Sequence, residues 1–238
     1  MRKVIYGICV ALLTFAIGAA VHYLTAQKHG APPAPASNSA EVRIDQKPEV
    51  KAPPVPVNVS IILRTNLDDK AEFKYRTLKL SSDKTVVVDD IDVPEYVDGQ
   101  EITIRGSDPS ARFWISERYR TSMTVMGEGP HLDLVDWRHF DSEWIPLERI
   151  ADRKFRTLAS ERMDGDKFPG ATQAEIMAAV RKRAGDWPEA IELAKKCRAP
   201  NEYPCGVSVS SVFFRVEMLV GDQWTNVGVV EVQIPMGC

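Results

Sequence analysis

The C-terminal stretch SVFFRVEMLVGDQWTNVGVVEVQI, residues 211–234, decides the fold class. Its first half carries apolar side chains at alternate positions: Val212, Phe214, Val216, Met218 and Val220. Gly221-Asp222-Gln223 follows as a turn, and a second apolar face continues at Trp224, Val230, Val232 and Ile234. This period of two predicts a β-hairpin. Because an isolated hairpin is marginally stable in water, we expect it to pair with other strands of the chain.

Candidate partner strands lie earlier in the chain. Val57, Val59, Ile61 and Leu63 alternate with polar residues, as in a half-buried strand. Further strand-like segments, separated by Asn, Asp, Ser, Gly and Pro turn signals, fall at residues 72–80, 85–93, 101–105, 112–115 and 132–137. Strands at spacings of about ten residues predict an antiparallel sandwich or barrel-like sheet.

A helical section is predicted between these strands and the hairpin. One helical stripe is formed by Leu147, Ile150, Ala151, Phe155 and Leu158. Thr172 and Glu175 form a capping box before a helix that ends at Gly185. Asp186 and Glu189 repeat this pattern around Pro188, before a helix that ends at Pro200. The sequence therefore predicts an α+β domain with an inserted helical section, or alternatively two smaller domains divided near residues 156–169.

Three of the four cysteines lie in this domain. Cys197 and Cys205 are separated by a short stretch rich in turn-forming residues, so we expect a disulfide between them. Cys238 is an alternative partner for Cys205. Three cysteines leave one thiol over, which stays free or joins another chain.

The N-terminus carries an apolar segment. The 24 residues between Lys3 and Lys28 have no formal charge, and residues 4–24 are long enough to cross a bilayer as a helix. Arg2 and Lys3 precede this segment, so the positive-inside rule leaves the N-terminus in the cytoplasm and exports the rest of the chain. The alternative is a signal peptide cleaved near Gly18-Ala19-Ala20. Either interpretation places the remainder outside the cytoplasm.

A proline-rich segment joins the apolar segment to the domain. Residues 30–57 contain seven of the sixteen prolines, a composition typical of an extended spacer. The expected organisation is thus a cytoplasmic start and membrane anchor at residues 1–29, a Pro/Ala-rich tether at 30–57 and an exported domain at 58–238.

The histidines suggest one catalytic hypothesis. In the segment HLDLVDWRHFD, His131 and Asp133 precede His139 and Asp141 at the same spacing. On strands these side chains would bind a divalent metal that activates water. The competing interpretation is an ordinary strand and turn, since so short a motif arises often by chance.

Charge excludes one class of function and suggests another. Residues 58–238 hold 24 Lys and Arg against 30 Asp and Glu, which does not fit a nucleic-acid-binding protein. Basic clusters occur at Arg149 to Arg156, at Arg181-Lys182-Arg183 and at Lys195 to Arg198. They are interpreted either as solvated helix faces or as one cationic surface for a partner.

The sequence thus favours a single-pass protein of a bacterial inner membrane, with its folded domain in the periplasm. No nucleophile elbow and no phosphate-binding Gly-rich loop is present, so the sequence predicts neither an enzyme nor a bound cofactor. We expect a binding or scaffolding subunit of a larger membrane assembly, in which the partners are other subunits or further copies of this chain. The alternative is an exported metal-dependent enzyme that uses residues 131–141.

Overall fold

The computed structural model describes residues 58–67, 72–93, 95–126, 131–185 and 187–236. Within these ranges no helix combines the length and the apolar character needed to cross a membrane. The predicted anchor at residues 4–24 and the predicted tether lie outside the described residues.

The first sheet, sheet A, is antiparallel and has the strand order β10-β11-β5-β1-β2, with β4 paired to the end of β1. Its strands are β1 (Val59–Leu67), β2 (Glu72–Lys79), β4 (Glu95–Tyr96), β5 (Glu101–Gly106), β10 (Glu148–Ala151) and β11 (Lys154–Arg156). The alternation of apolar residues predicted for β1 is confirmed, because Val59, Ile61 and Leu63 are buried.

The second sheet, sheet B, has the order β3-β13-β12-β6-β7, with β8 and β9 also paired to β6. Its strands are β3 (Thr85–Val88), β6 (Phe113–Val125), β7 (Leu132–Asp133), β8 (His139–Asp141), β9 (Ile145–Pro146), β12 (Cys205–Val220) and β13 (Gln223–Gln233). Only the pairing of β13 with β3 is parallel among the described strands. The predicted C-terminal hairpin is confirmed as β12 and β13, and Gly221 takes the positive φ of 59° that its turn requires.

The two sheets face each other across one apolar core, as predicted for a sandwich-like domain. Ile61, Ile104 and Phe155 from sheet A and Phe113 and Phe214 from sheet B belong to this core. The strands before and after residues 156–169 therefore share one core.

Two helices cover the part of β6 and β12 that extends beyond sheet A. They are α1 (Gln173–Ala184) and α2 (Pro188–Ala194), and a short 3-10 helix (Ser160–Arg162) precedes them. Ile176, Val180 and Ala194 form a second core with Met123 and Val125 of β6. The long strands of sheet B thus have one apolar face that sheet A covers at one end and the helices cover at the other.

The capping box predicted before α1 is confirmed. The Thr172 hydroxyl accepts a hydrogen bond from the Glu175 backbone N–H, and the Glu175 carboxylate accepts one from the Thr172 N–H at 2.9 Å. The repeat of this device before α2 is wrong, since Trp187 and not Asp186 is the N-cap and provides no side-chain hydrogen bond. Helix α2 also ends at Ala194, well before Pro200.

The helix predicted over residues 147–158 is wrong, because these residues form the hairpin of β10 and β11. Arg153 has a φ of 56° and turns the chain between the two strands. Phe155 and Leu158 are buried, but Ile150 is exposed, so the apolar spacing does not mark one helix face.

Candidate functional site

A disulfide joins the helical section to the start of the C-terminal hairpin. The structure pairs Cys197 with Cys205, as predicted, which excludes the alternative of Cys205 with Cys238. Both cysteines are buried in the core that the helices form with sheet B. Cys238 lies outside the described residues.

The predicted metal ligands lie along one edge of sheet B. Asp133, His139 and Asp141 stand opposite Thr124, Ser122 and Arg120 of β6. The His131 Nδ1 atom is 3.5 Å from the Met236 carbonyl oxygen.

Only two of these predicted ligands come together. The His139 Nε2 atom is 3.8 Å from Asp141 Oδ2. Arg120 already donates to both oxygens of Asp141, at 2.8 and 3.1 Å. Within the described residues, no group of three or more His, Cys, Asp or Glu side chains is arranged to hold a metal ion.

The predicted basic clusters do not form one surface on helices. Residues 149–156 belong to the β10–β11 hairpin of sheet A. The Gln173 side chain donates to the Lys195 carbonyl oxygen at 2.5 Å, which places the end of α2 beside the start of α1. Arg181, Lys182 and Arg183 lie at the other end of α1, about 14 Å away at the helical rise per residue. These three side chains are exposed, and Arg183 pairs with Asp136 at 3.3 Å.

The outer face of sheet B carries a stack of arginine and aromatic side chains. We call it the arginine–aromatic surface and define it by Arg118, Arg120, Trp144, Phe213 and Arg215. The Arg118 guanidinium lies 5.0 Å from the Trp144 ring centre and 4.7 Å from that of Phe213. The Arg215 guanidinium also stacks on Trp144, 4.6 Å from its ring centre. The Arg120 guanidinium lies 5.2 Å from the ring centre of Phe213.

The strand register positions this stack. Phe213 of β12 stands opposite Arg118 of β6, and Arg215 stands opposite Ser116. Cross-strand partners point to the same side of a sheet, so these residues project from the face opposite the core. Trp144 comes from the connection between β8 and β9, both of which pair with β6.

Carboxylates lie beside the guanidinium groups of this surface, but in the part of the chain that the structure describes they leave hydrogen-bond donors of Arg118 and Arg215 unused. Hydrogen bonds from Arg120 hold the pKa of Asp141 below its usual range and raise the pKa of Arg120. Arg118 is 3.9 Å from the same carboxylate, and Arg215 is 3.7 Å from Glu217. Among the described residues, the buried Nε atoms of Arg118 and Arg215 have no hydrogen-bond partner. Glu231 of β13 stands opposite Phe213 on the same face and also raises the pKa of Arg120, so three guanidinium groups lie near three carboxylates.

This arrangement is suited to binding an anionic group. Aromatic faces attract guanidinium groups and restrict their motion, so less side-chain entropy is lost when a ligand binds. The side chains of Arg118 and Arg215 remain 29% and 33% exposed, and a planar guanidinium matches a carboxylate in shape. Arg and Trp are also the residues that most often dominate binding energy at protein interfaces.

None of the five residues of this surface is predicted from the sequence as a binding residue. The period of two in ERYRT, residues 117–121, indicates a strand that places Arg118 and Arg120 on one face. The approach of Trp144 and Phe213 depends on strand pairing between distant segments, and local sequence does not specify that register.

No family model matches the chain, and the searches of curated proteins and of solved structures also found no match. The fold and the surface define a disulfide-bonded β-sandwich domain with a partly exposed arginine–aromatic face.

Proposed function

We propose that the chain is an exported, membrane-anchored binding subunit of a larger envelope assembly, and that its arginine–aromatic surface contacts a partner. The observation that carries this proposal is the stack of Arg118 and Arg215 on Trp144, with guanidinium groups that are fixed in place and still partly exposed. The partner would supply carboxylates to these groups.

Two further features support an exported binding domain. The Cys197–Cys205 disulfide suits an oxidising compartment outside the bacterial cytoplasm. Residues 4–24 have the apolar composition of a membrane anchor, and the proline-rich segment after them has that of a tether. A tethered domain meets partners at a high effective concentration, so moderate affinity is sufficient for assembly.

The test compares two matched double variants of the full chain, extracted gently from their own membranes. Arg118→Gln/Arg215→Gln removes two positive charges from the proposed surface, and Arg181→Gln/Arg183→Gln removes two from the exposed end of α1. We expect the wild type and the α1 variant to migrate as a complex larger than the chain alone. The surface variant should lose this complex while its thermal unfolding stays cooperative.

Two results would count against the proposal. One is recovery of the wild-type chain as a lone monomer. The other is a complex that survives equally in both double variants.

A further inference from the structure

Among the described strands, β2 forms a long free edge of sheet A. It pairs with β1 on one side through eight successive residue pairs without a bulge, and no described strand pairs with its other side. At eight residues it is twice as long as any other edge strand in the described parts of the two sheets. It contains no proline. Native proteins normally shield such edges, because their unpaired backbone groups accept further strands.

Two of the four charged residues of β2 are held back against the sheet, whereas Glu72 and Lys79 at its ends are exposed. Lys74 pairs with Asp92 at 3.2 Å and with Glu95, and Arg76 pairs with Asp90 at 3.0 Å and with Glu95. The Arg76 side chain is only 13% exposed. Burial alone would raise the pKa of Glu95, but hydrogen bonds from Arg76 and Thr65 hold it at about 2. Glu95 therefore stays ionised and keeps these cations in place.

The outer face of β2 presents aromatic residues. Phe73 and Tyr75 are 42% and 65% exposed. Phe73 stands opposite Asn66 of β1, and Tyr96 of β4 stands opposite the same Asn66 from the other side. Tyr96 is 49% exposed, so three aromatic side chains lie on one side of the sheet, two of them on the edge strand β2 and one on β4, on the other side of β1.

The outer face of sheet A is also basic, although the domain as a whole is acidic. The register places five cations on this face: Arg64, Lys79, Arg105, Lys154 and Arg156. Only Glu101 and Glu148 among the acidic residues of the described strands share it. The Arg64 guanidinium lies 4.6 Å from the Phe73 ring centre, next to the free edge.

We propose that β2 accepts a β-strand from a partner protein, and that the outward side chains of this strand carry carboxylates. Backbone groups of β2 would bind the added strand, and Lys79 of β2 and Arg64 of β1, the cations of this face nearest the edge, would select its charge. A second copy of the chain fits this edge less well, because it would join a second basic face to the first. This inference rests on the proposed function, since it takes the domain to be a binding subunit, but it uses a different sheet.

The test uses the full chain in detergent micelles and an eight-residue peptide of alternating glutamate and valine. A peptide of alternating lysine and valine is the control ligand. We expect only the acidic peptide to bind, with an affinity that falls as salt rises and with slower amide hydrogen exchange in residues 72–79.

Matched variants identify the surface. Lys79→Glu should weaken binding of the acidic peptide about tenfold, whereas Lys182→Glu, the same charge change on α1, should not. Tyr75→Ala should weaken it as well, whereas Trp224→Ala, an exposed aromatic residue of sheet B, should not. The Arg118→Gln/Arg215→Gln variant should bind the peptide normally, so this inference and the proposed function fail independently.

Several outcomes would overturn the inference. One is equal binding of the lysine peptide, and another is binding that leaves amide exchange in residues 72–79 unchanged. A third is displacement of the acidic peptide by polygalacturonate without protection of β2, a result that would indicate a glycan-binding surface. A dimer of the wild-type chain that Lys79→Glu abolishes would assign the edge to a second copy.

Discussion

At the scale of single residues, Glu117 is a carboxyl group buried between the two sheets. It lies on β6 opposite Phe214, is fully buried, and accepts a hydrogen bond from the Leu158 backbone N–H at 2.9 Å. Its second oxygen has no hydrogen-bond partner within the described residues. Burial raises the pKa of Glu117 to about 8, although the Leu158 N–H opposes this shift. The folded protein therefore holds a proton that the unfolded chain releases near pH 4.5.

This residue predicts a stability that falls as pH rises. The folded state binds the proton more tightly, so the stabilisation by protonated Glu117 is fully present below about pH 4.5. The free energy of unfolding then falls by a few kcal/mol as the pH rises to about 8. Glu117→Gln should flatten the free energy of unfolding across this window in urea titrations. Glu95, with its lowered pKa, acts only at lower pH, so it does not obscure the comparison. A wild-type curve as flat as that of the variant from pH 5 to 8 would contradict the assignment.

Gly228 predicts a steric requirement in β13. A Cβ at this position would lie 2.9 Å from the Ser81 carbonyl oxygen and 3.1 Å from Leu80 Cβ. Because backbone atoms cannot move away easily, Gly228→Ala should lower the free energy of unfolding by about 1–3 kcal/mol. Gly170→Ala is the matched control, since nothing lies within 4 Å of its added Cβ. Equal urea midpoints for the two variants would exclude the close contact.

At the scale of elements, some hairpins can be predicted from the local sequence and others cannot, and the physical reasons differ. The β12–β13 hairpin is predictable because Gly221 and the alternation around it act locally. The β10–β11 hairpin is not, because strands of three and four residues leave too few apolar positions to establish a period. Leu147 and Phe155 are eight residues apart, a spacing that a helix and a short hairpin both allow. The arginine–aromatic surface depends on pairing between β6 and β12, which lie about ninety residues apart in the chain.

The disulfide is the link between elements that is most easily tested. Cys197 follows α2 and Cys205 begins β12, and both sulfurs belong to the core under the helices. Cys197→Ala/Cys205→Ala should therefore lower the free energy of unfolding by about 2–3 kcal/mol. Cys238→Ala should leave stability unchanged, because Cys205 is already bonded. Mass spectrometry of unreduced peptides gives the direct measurement, and alkylation of both Cys197 and Cys205 would contradict the pairing.

At the scale of the whole molecule, two faces of the sandwich offer different chemistry. The outer face of sheet B carries guanidinium groups stacked on aromatic rings, and that of sheet A is basic beside a free strand edge. Two separate surfaces would let one domain bridge two partners. This capacity is consistent with a scaffolding subunit. Acidic partners are proposed for both faces because each face carries exposed cations, although the domain is acidic overall.

The proposed topology makes the final prediction. With an uncleaved anchor at residues 4–24, the chain should keep its full mass of 26.6 kDa and stay in membranes after alkaline carbonate extraction. Protease added to spheroplasts should digest the domain, because it lies on the periplasmic side. Cleavage near Gly18-Ala19-Ala20 would instead release a shorter soluble chain, which would end the anchored interpretation but leave export intact. A full-length chain that is protected in spheroplasts and digested only after lysis would contradict export itself, and the disulfide would then require a different explanation.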